Sequence, residues 1–259
     1  MRSRLRVLGA IPAVVFATLA YTWLTLPDVR PLRSDNPATT AFMTLRAAEA
    51  ARAGRSPHRQ YRWVGYERVS HSLKQAVLVT EDAKFWQHDG VDYAEVRTSL
   101  EQDWASGHLL RGASTITQQL AKNLYLSPTR NPYRKFAELL ITRRLEAQLT
   151  KRRIFELYLN LIEWGDGIWG VDAASRAYFG ASAGSLSPNQ AALLAGAIIN
   201  PRAYSPAHPN ARLLRRQQII LSKMGEVSPP ADVPNKLPLS IITAPPLELW
   251  RGIKKLGGG

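Results

Sequence analysis

Glu81 and Asp82 stand side by side at the end of an apolar run, SLKQAVLVT from Ser72 to Thr80. A carboxylate against apolar walls has its charged form disfavoured. That raises its pKa toward the range in which it can take a proton near neutrality. The stretch continues EDAKFWQHDG as far as Gly90, and Phe85 and Trp86 are the residues that would supply such walls. The bland alternative is a solvated Glu-Asp pair after a helix, with His88 hydrogen-bonded nearby.

A second stretch, GASTITQQLAKN from Gly112 to Asn123, opens polar and turns apolar. Thr115 followed by Gln118 fits a capping box, in which two side chains satisfy orphan amides at a helix start. That accounts for one hydroxyl and one glutamine but not for Ser114, Thr117 and Gln119. A helix N-terminus ringed by small hydroxyls also favours anions through its free N–H groups and its dipole. Ser114, Gln118 and Lys122 recur every four residues and so share a helix face. Such a strip of donors ending in a cation suits a sugar phosphate.

The third stretch is NPYRKFAELL, Asn131 to Leu140. Asn131 is suited to capping and Pro132 to the first helical position. Arg134, Lys135 and Glu138 follow at three- and four-residue spacing. The plain interpretation is a surface ion pair contributing ~0.2–0.5 kcal/mol. The functional one is a second carboxylate held charged by cations. Residues 130–153 carry eight basic side chains against Glu138 and Glu146. The fourth stretch, Lys151 to Gly180, is rich in Leu and Ile and is expected to be scaffold. Asn160 within it needs a hydrogen-bond partner if buried, and Gly165, Gly167 and Gly170 mark a bend.

Helices must hold these residues in place. Periodicity and punctuation predict helices at 41–54, 72–80, 92–107, 115–126, 132–149, 151–164, 167–178, 187–199 and 209–225. The segment YRWVGYERVS, Tyr61 to Ser70, has room for a short strand, and other strand signals are few. The expected fold is mainly α, one domain over residues 41–228, which is typical of a single domain in size. Residues 27–40, rich in proline and polar groups, are expected to be a tether, and residues 229–259 a loosely ordered tail.

Residues 7–26, VLGAIPAVVFATLAYTWLTL, carry no charge and are long enough to span a bilayer as a helix. Arg2, Arg4 and Arg6 precede them, so residues 1–6 are expected to stay cytoplasmic and the rest to be exported. The run exceeds an ordinary signal-peptide core, which favours a retained anchor over cleavage. The chain has 259 residues, no cysteine and a formal charge of +14. Disulfides and thiolate chemistry are excluded. The charge calls for an anionic partner, and the expected export makes acidic lipid or a phosphate-bearing substrate the partner rather than nucleic acid.

These stretches, in this order, resemble the peptidoglycan glycosyltransferase family, and most of all its monofunctional membrane-anchored members from Gram-negative bacteria. EDAKFWQHDG, GASTITQQLAKN, RKFAE and RRIFELYLN are similar to the family's motifs in the family's order. IEWGDGIWG followed by AASRAYFG is similar to the monofunctional branch. The resemblance covers about residues 60–225. Thr80 and Phe155 depart from the commonest family residues without touching the chemistry. The resemblance implies a lysozyme-like helical fold with a jaw lobe near the inner membrane. It implies polymerisation of lipid II, a disaccharide-pentapeptide on undecaprenyl pyrophosphate, with inversion at the anomeric carbon. Glu81 matches the general base and Glu138 the second glutamate, which positions the donor pyrophosphate or a cation on it. Lys122 and Arg130 match phosphate-binding positions. Ser114, Gln118, Arg134 and Lys135 match cleft positions, and Asp82 and Phe85 of the first motif are expected beside them. A divalent cation, Mg or Mn, has a possible role on the phosphates, but no metal-ligand spacing demands one. Division or elongation proteins are possible partners.

No Ser-x-x-Lys and no Lys-Thr-Gly occurs, so no transpeptidase activity is expected. Two other classes compete with the transferase. A lysozyme-like cleaving enzyme would also use two carboxylates, yet it has no need of the cations. A tethered non-catalytic scaffold would have no need of Glu81 or Glu138.

Overall fold

The computed structural model describes residues 13, 16–22, 24–106, 114–126 and 132–230. Its architecture is mainly helical. Helices α1 (Ala41–Arg52), α2 (His71–Glu81), α3 (Tyr93–Ser106), α4 (Ile116–Tyr125), α5 (Pro132–Gln148), α6 (Lys151–Leu161), α7 (Val171–Phe179), α8 (Pro188–Ala197) and α9 (Ala211–Lys223) follow in order. Each lies within a few residues of its expected span, and local chemistry explains why. Ser70, Thr115, Thr150, Ser187 and Asn210 each accept a backbone amide at the start of their helices. Gly180 closes α7 in the left-handed conformation.

Helix α4 runs through the middle, packed against α1, α5 and α6. Its Ile116, Leu120 and Leu124 are buried together with Leu145, Leu157 and Leu161. Burying each such side chain contributes roughly 1.5–3 kcal/mol. Helix α2 packs on α8 and α9, burying Leu73, Val77 and Leu78. The C-terminal end of α2 meets the N-terminal half of α4 through hydrogen bonds from Gln119 to Glu81 and from the Ile116 amide to Asp82, which brings the first two chemical stretches together.

The region after Leu161 departs from expectation. Helix α6 stops there because Ile162 is extended, and residues up to 164 are not helical. Instead β2 (Glu163–Gly165) and β3 (Ile168–Trp169) form an antiparallel pair, and β1 (Gln60–Tyr61) joins β3 in parallel, in the order β1-β3-β2. The three glycines do more than bend the chain. At Gly170, φ is +81°, and an added Cβ would lie 2.9 Å from the Asn160 carbonyl and 3.1 Å from that of Arg62. Only glycine lets this corner close.

Asn160 is wholly buried and fully engaged. Its Oδ1 accepts the Val64 amide at 2.8 Å, and its Nδ2 donates to the Val64 and Glu156 carbonyls at 2.8 Å each. It clasps the segment before α2 onto α6.

Residues 27–40, expected as a tether, lie on the domain surface with ordered contacts. Val29 and Leu32 are buried in the core cluster. Arg153 donates to the carbonyls of Leu32 and Asp35, and Arg144 donates to that of Leu26. The expected membrane span of 7–26 is described only in part. Among the described residues, no helix is long and apolar enough to cross a membrane. Most of the expected tail, 231–259, lies outside the described residues.

Candidate active site

Glu81 is the last residue of α2 and lies half-buried in the wall of a cleft of about 240 Å³. Val79, Thr80, Ala83, Asp92, Glu95 and Ser114 also line this space. Enclosure by protein raises the Glu81 pKa, and that effect outweighs the opposing hydrogen bond from Gln119 and the charges of Arg216 and Lys122. The carboxyl is thereby tuned toward proton transfer. Gln119 Nε2 donates to Glu81 Oε2 at 2.8 Å, and the Tyr158 hydroxyl donates to Gln119 Oε1 at 3.1 Å.

Asp82 lines the same cleft but is engaged differently. Its carboxylate contacts His88 Nε2 at 2.9 and 3.1 Å and accepts the Ile116 amide at 3.0 Å. It therefore joins the loop after α2 to the first turn of α4. The Thr115 hydroxyl donates to the Gly90 carbonyl at 2.6 Å and fastens the far end of that loop. Gly90 has φ +85° and leaves no room for a Cβ against Thr142 and Glu146. Beneath it, Glu146 Oε1 accepts from Thr117 at 2.6 Å and from Lys151 at 2.8 Å.

Glu138 is buried on α5, with a side chain 4% exposed. Arg134 bonds one of its oxygens at 3.1 Å and Lys135 the other. Lys122 on α4 lies within electrostatic reach of both Glu138 and Glu81, and its half-burial lowers its pKa. Among the described residues, no hydrogen bond or ion pair engages the Lys122 ammonium. Lys122 thus links, through its charge, the desolvated carboxyl of Glu81 to the cationic group around Glu138.

Comparison with known proteins decides what this arrangement belongs to. The transglycosylase family matches residues 48–225. The chain belongs to the transglycosylase family. A biosynthetic peptidoglycan transglycosylase of Laribacter hongkongensis is 48% identical over 196 residues, covering 76% of this chain and 86% of its own length. One from Nitrosomonas eutropha is 45% identical over 221 residues, covering 85% of this chain and 88% of its own. One from Thiobacillus denitrificans is 42% identical over 232 residues, covering 89% of this chain and its full length.

Within the transglycosylase domain, the structure brings Glu81, Asp82 and Ser114 to the cleft, sets Lys122 within electrostatic reach of Glu81, and groups Glu138 with Arg134 and Lys135. It moves other residues elsewhere. Phe85 is fully buried, packed on Phe155 with a 5.6 Å ring separation and beneath the Lys151 ammonium at 4.4 Å. It supports the loop from below instead of lining the cleft. Gln118 is 6% exposed, and its carbonyl oxygen completes the capping box by accepting the Thr115 amide at 3.1 Å. The expected strip of Ser114, Gln118 and Lys122 is therefore broken at its middle. Arg130 and Asn131 lie outside the described residues.

Three contributors have roles that the sequence does not assign. Gln119 turns to Glu81, Tyr158 supports Gln119, and Arg216 of α9 acts on Glu81 through its charge. The doubled glutamine was the available signal for the first. Tyr158 reads as core, and Arg216 as one of several cations on a surface helix.

Among the described residues, no three His, Asp or Glu side chains gather as a metal cluster. Both Glu138 oxygens already face cations, which does not fit a protein-held divalent ion there.

Proposed function

We propose that this chain polymerises lipid II into linear glycan strands, with release of undecaprenyl pyrophosphate, and does not cross-link them. The observation that carries this is the position of Lys122, a cation without a hydrogen bond or ion pair among the described residues and within electrostatic reach of both Glu81 and Glu138. Glu81 takes the proton from the 4-hydroxyl of the acceptor sugar. That oxygen forms a bond to the anomeric carbon of the donor chain as the bond to the pyrophosphate oxygen breaks. Attack from the opposite face inverts the configuration from α to β. The leaving group departs with its electron pair as a stabilised pyrophosphate anion, one negative charge greater than before, and needs no strong general acid. It needs cations aimed at the developing charge. Lys122, Lys135 and Arg134 supply these, with Arg130 assigned to the same task from the motif. Glu138 orients Arg134 and Lys135. Ser114 offers a hydroxyl at the cleft rim.

In the same proposal, residues 7–26 anchor the chain in the bacterial inner membrane with the catalytic domain in the periplasm. The uncharged run and the preceding Arg2, Arg4 and Arg6 support this. Helix α3, with its exposed Tyr93, belongs to the membrane-proximal lobe through which the lipid chain would be presented.

The test is polymerisation of labelled lipid II by the full-length protein in detergent, with Glu81→Gln beside it. The expected product is high-molecular-weight glycan that a muramidase digests, lost in the variant. A folded wild-type protein that makes no polymer, with and without added divalent metal, would overturn the proposal.

A further inference from the structure

Beneath Glu81 lies a chain of hydrogen bonds with a built-in direction. Tyr158 is wholly buried, and among the described residues its hydroxyl has one hydrogen-bond partner, Gln119 Oε1 at 3.1 Å. The opposite side of the same amide, Nε2, meets Glu81 Oε2 at 2.8 Å. An amide has two possible orientations, one donor-first and one acceptor-first. If the Gln119 amide rotated by half a turn, its Nε2 would face the phenol and its oxygen would face Glu81. The phenol hydrogen would then be buried without an acceptor, which costs free energy. The orientation that satisfies Tyr158 is the one that presents an N–H donor to Glu81. A donor in that position favours the ionised carboxylate and disfavours the acid, which would need an acceptor there.

We propose that Tyr158 is a positioning residue that acts through Gln119, fixing the amide so that Glu81 is held in its proton-accepting form between turnovers. This rests on Glu81 being the general base, as proposed above. Burial keeps the phenol protonated by raising its pKa well above the ordinary value, so the direction of the chain persists across the working pH range. The other charged groups facing Glu81 are Asp82 beside it, Lys122 from α4 and Arg216 from α9. The two cations favour the carboxylate and Asp82 opposes it. None of the three touches the amide; the Ser114 carbonyl meets Nε2 only at 3.5 Å, the limit of a hydrogen bond, so Tyr158 at 3.1 Å is the stronger selector of its orientation.

The mechanism has a consequence for turnover. When Glu81 gains the acceptor's proton, the donor facing it becomes unfavourable, and the pair regains a matched arrangement by releasing the proton. Tyr158 thereby hastens the return of the base.

The experiment is the pH dependence of kcat/KM for lipid II polymerisation by full-length protein carrying Tyr158→Phe, Gln119→Met or both. Tyr158→Phe removes one oxygen and keeps the ring. It is expected to move the acid limb upward by about half to one pH unit, a loss of roughly three- to tenfold on the acid side that recovers at higher pH. Gln119→Met is expected to move it at least as far, and the double variant no farther than Gln119→Met. A fall in rate at every pH with an unmoved limb would make Tyr158 merely structural. A Tyr158→Phe shift that persists in the Gln119→Met background would show that Tyr158 does not act through the amide. If Tyr158→Phe does not fold, an unmoved limb in Gln119→Met overturns the proposal. A wild-type protein without activity would refute the proposed reaction. The relay would then still be decided by NMR titration of the Glu81 carboxyl carbon, where an unchanged midpoint in Tyr158→Phe overturns it.

Discussion

The Asp82 carboxylate accepts the backbone amide of Ile116 at 3.0 Å, so the residue next to Glu81 holds the first turn of α4. The same helix carries Gln119 and Lys122, and a shift of α4 would move both relative to Glu81. Asp82→Ala is expected to lower kcat of lipid II polymerisation about a hundredfold, since a misplacement near 1 Å costs that much in a site of this kind. Thermal unfolding should change far less than activity, because the hydrophobic contacts of α4 remain. Asp82→Asn keeps an acceptor for Ile116 and should retain more activity than Asp82→Ala. Equal losses in the two variants would show that Asp82 does not act by holding α4.

Glu81 links activity to stability with opposite signs. Its folded pKa is raised, so the unfolded chain ionises first as pH rises. Its contribution to stability is full below the ordinary Glu pKa, near 4.3, and is lost as pH rises through the raised folded value. Glu81→Gln removes the buried charge with little change in shape. Thermal melts should show the variant more stable than wild type at pH 7–8, by a few degrees, with the difference vanishing toward pH 4. Activity should vanish throughout. A variant less stable than wild type at pH 8 would contradict desolvation as the dominant influence on this carboxyl.

Lys122 has a lowered pKa, chiefly from burial and also from Arg134 and Lys135, with Glu138 and Glu81 opposing. Its charge is therefore lost at a lower pH than that of a free lysine. The alkaline limb of the rate profile should report this, and Lys122→Arg should move that limb upward because guanidinium does not deprotonate in this range. Lys122→Ala should reduce kcat/KM by about 10²–10³, as removing one donor to a developing charge does elsewhere. An unchanged rate with unchanged KM would remove Lys122 from the phosphate seat.

Much of this arrangement was legible in the sequence, for physical reasons that differ by residue. The start of α4 was readable because a capping box is a local contract between Thr115 and Gln118, three residues apart. The same contract buried Gln118 and removed it from the cleft, and the pattern of donors every four residues did not reveal that. Gln119 was visible as a residue type, but its direction depends on how α4 crosses the end of α2, which no local period encodes. Strands β2 and β3 leave no signal in the sequence because two or three residues are too short to display alternation. Residues 27–40 read as a tether by their prolines. The arginines that fix their carbonyls lie on α5 and α6, far along the chain.

Asn160 supplies the sharpest test of what holds the scaffold behind the site. It is buried, and it satisfies both the amide and the carbonyl of Val64 while donating to Glu156. Asn160→Ala leaves two backbone groups of Val64 without partners. Each orphan costs about 1–3 kcal/mol, so unfolding should fall by roughly 5–15 °C in a domain of this size. Asn160→Asp keeps the acceptor for the Val64 amide, loses both donors and buries a charge opposite two carbonyls. Its penalty should exceed that of Asn160→Ala at neutral pH and shrink as pH falls and the carboxyl gains a proton to donate. Thermal melts of both variants at pH 5 and pH 8 would show this crossover. Two pH-independent penalties of equal size would mean that the site relaxes around the substitution, and that the clasp on Val64 does not set the position of the chain leading into α2.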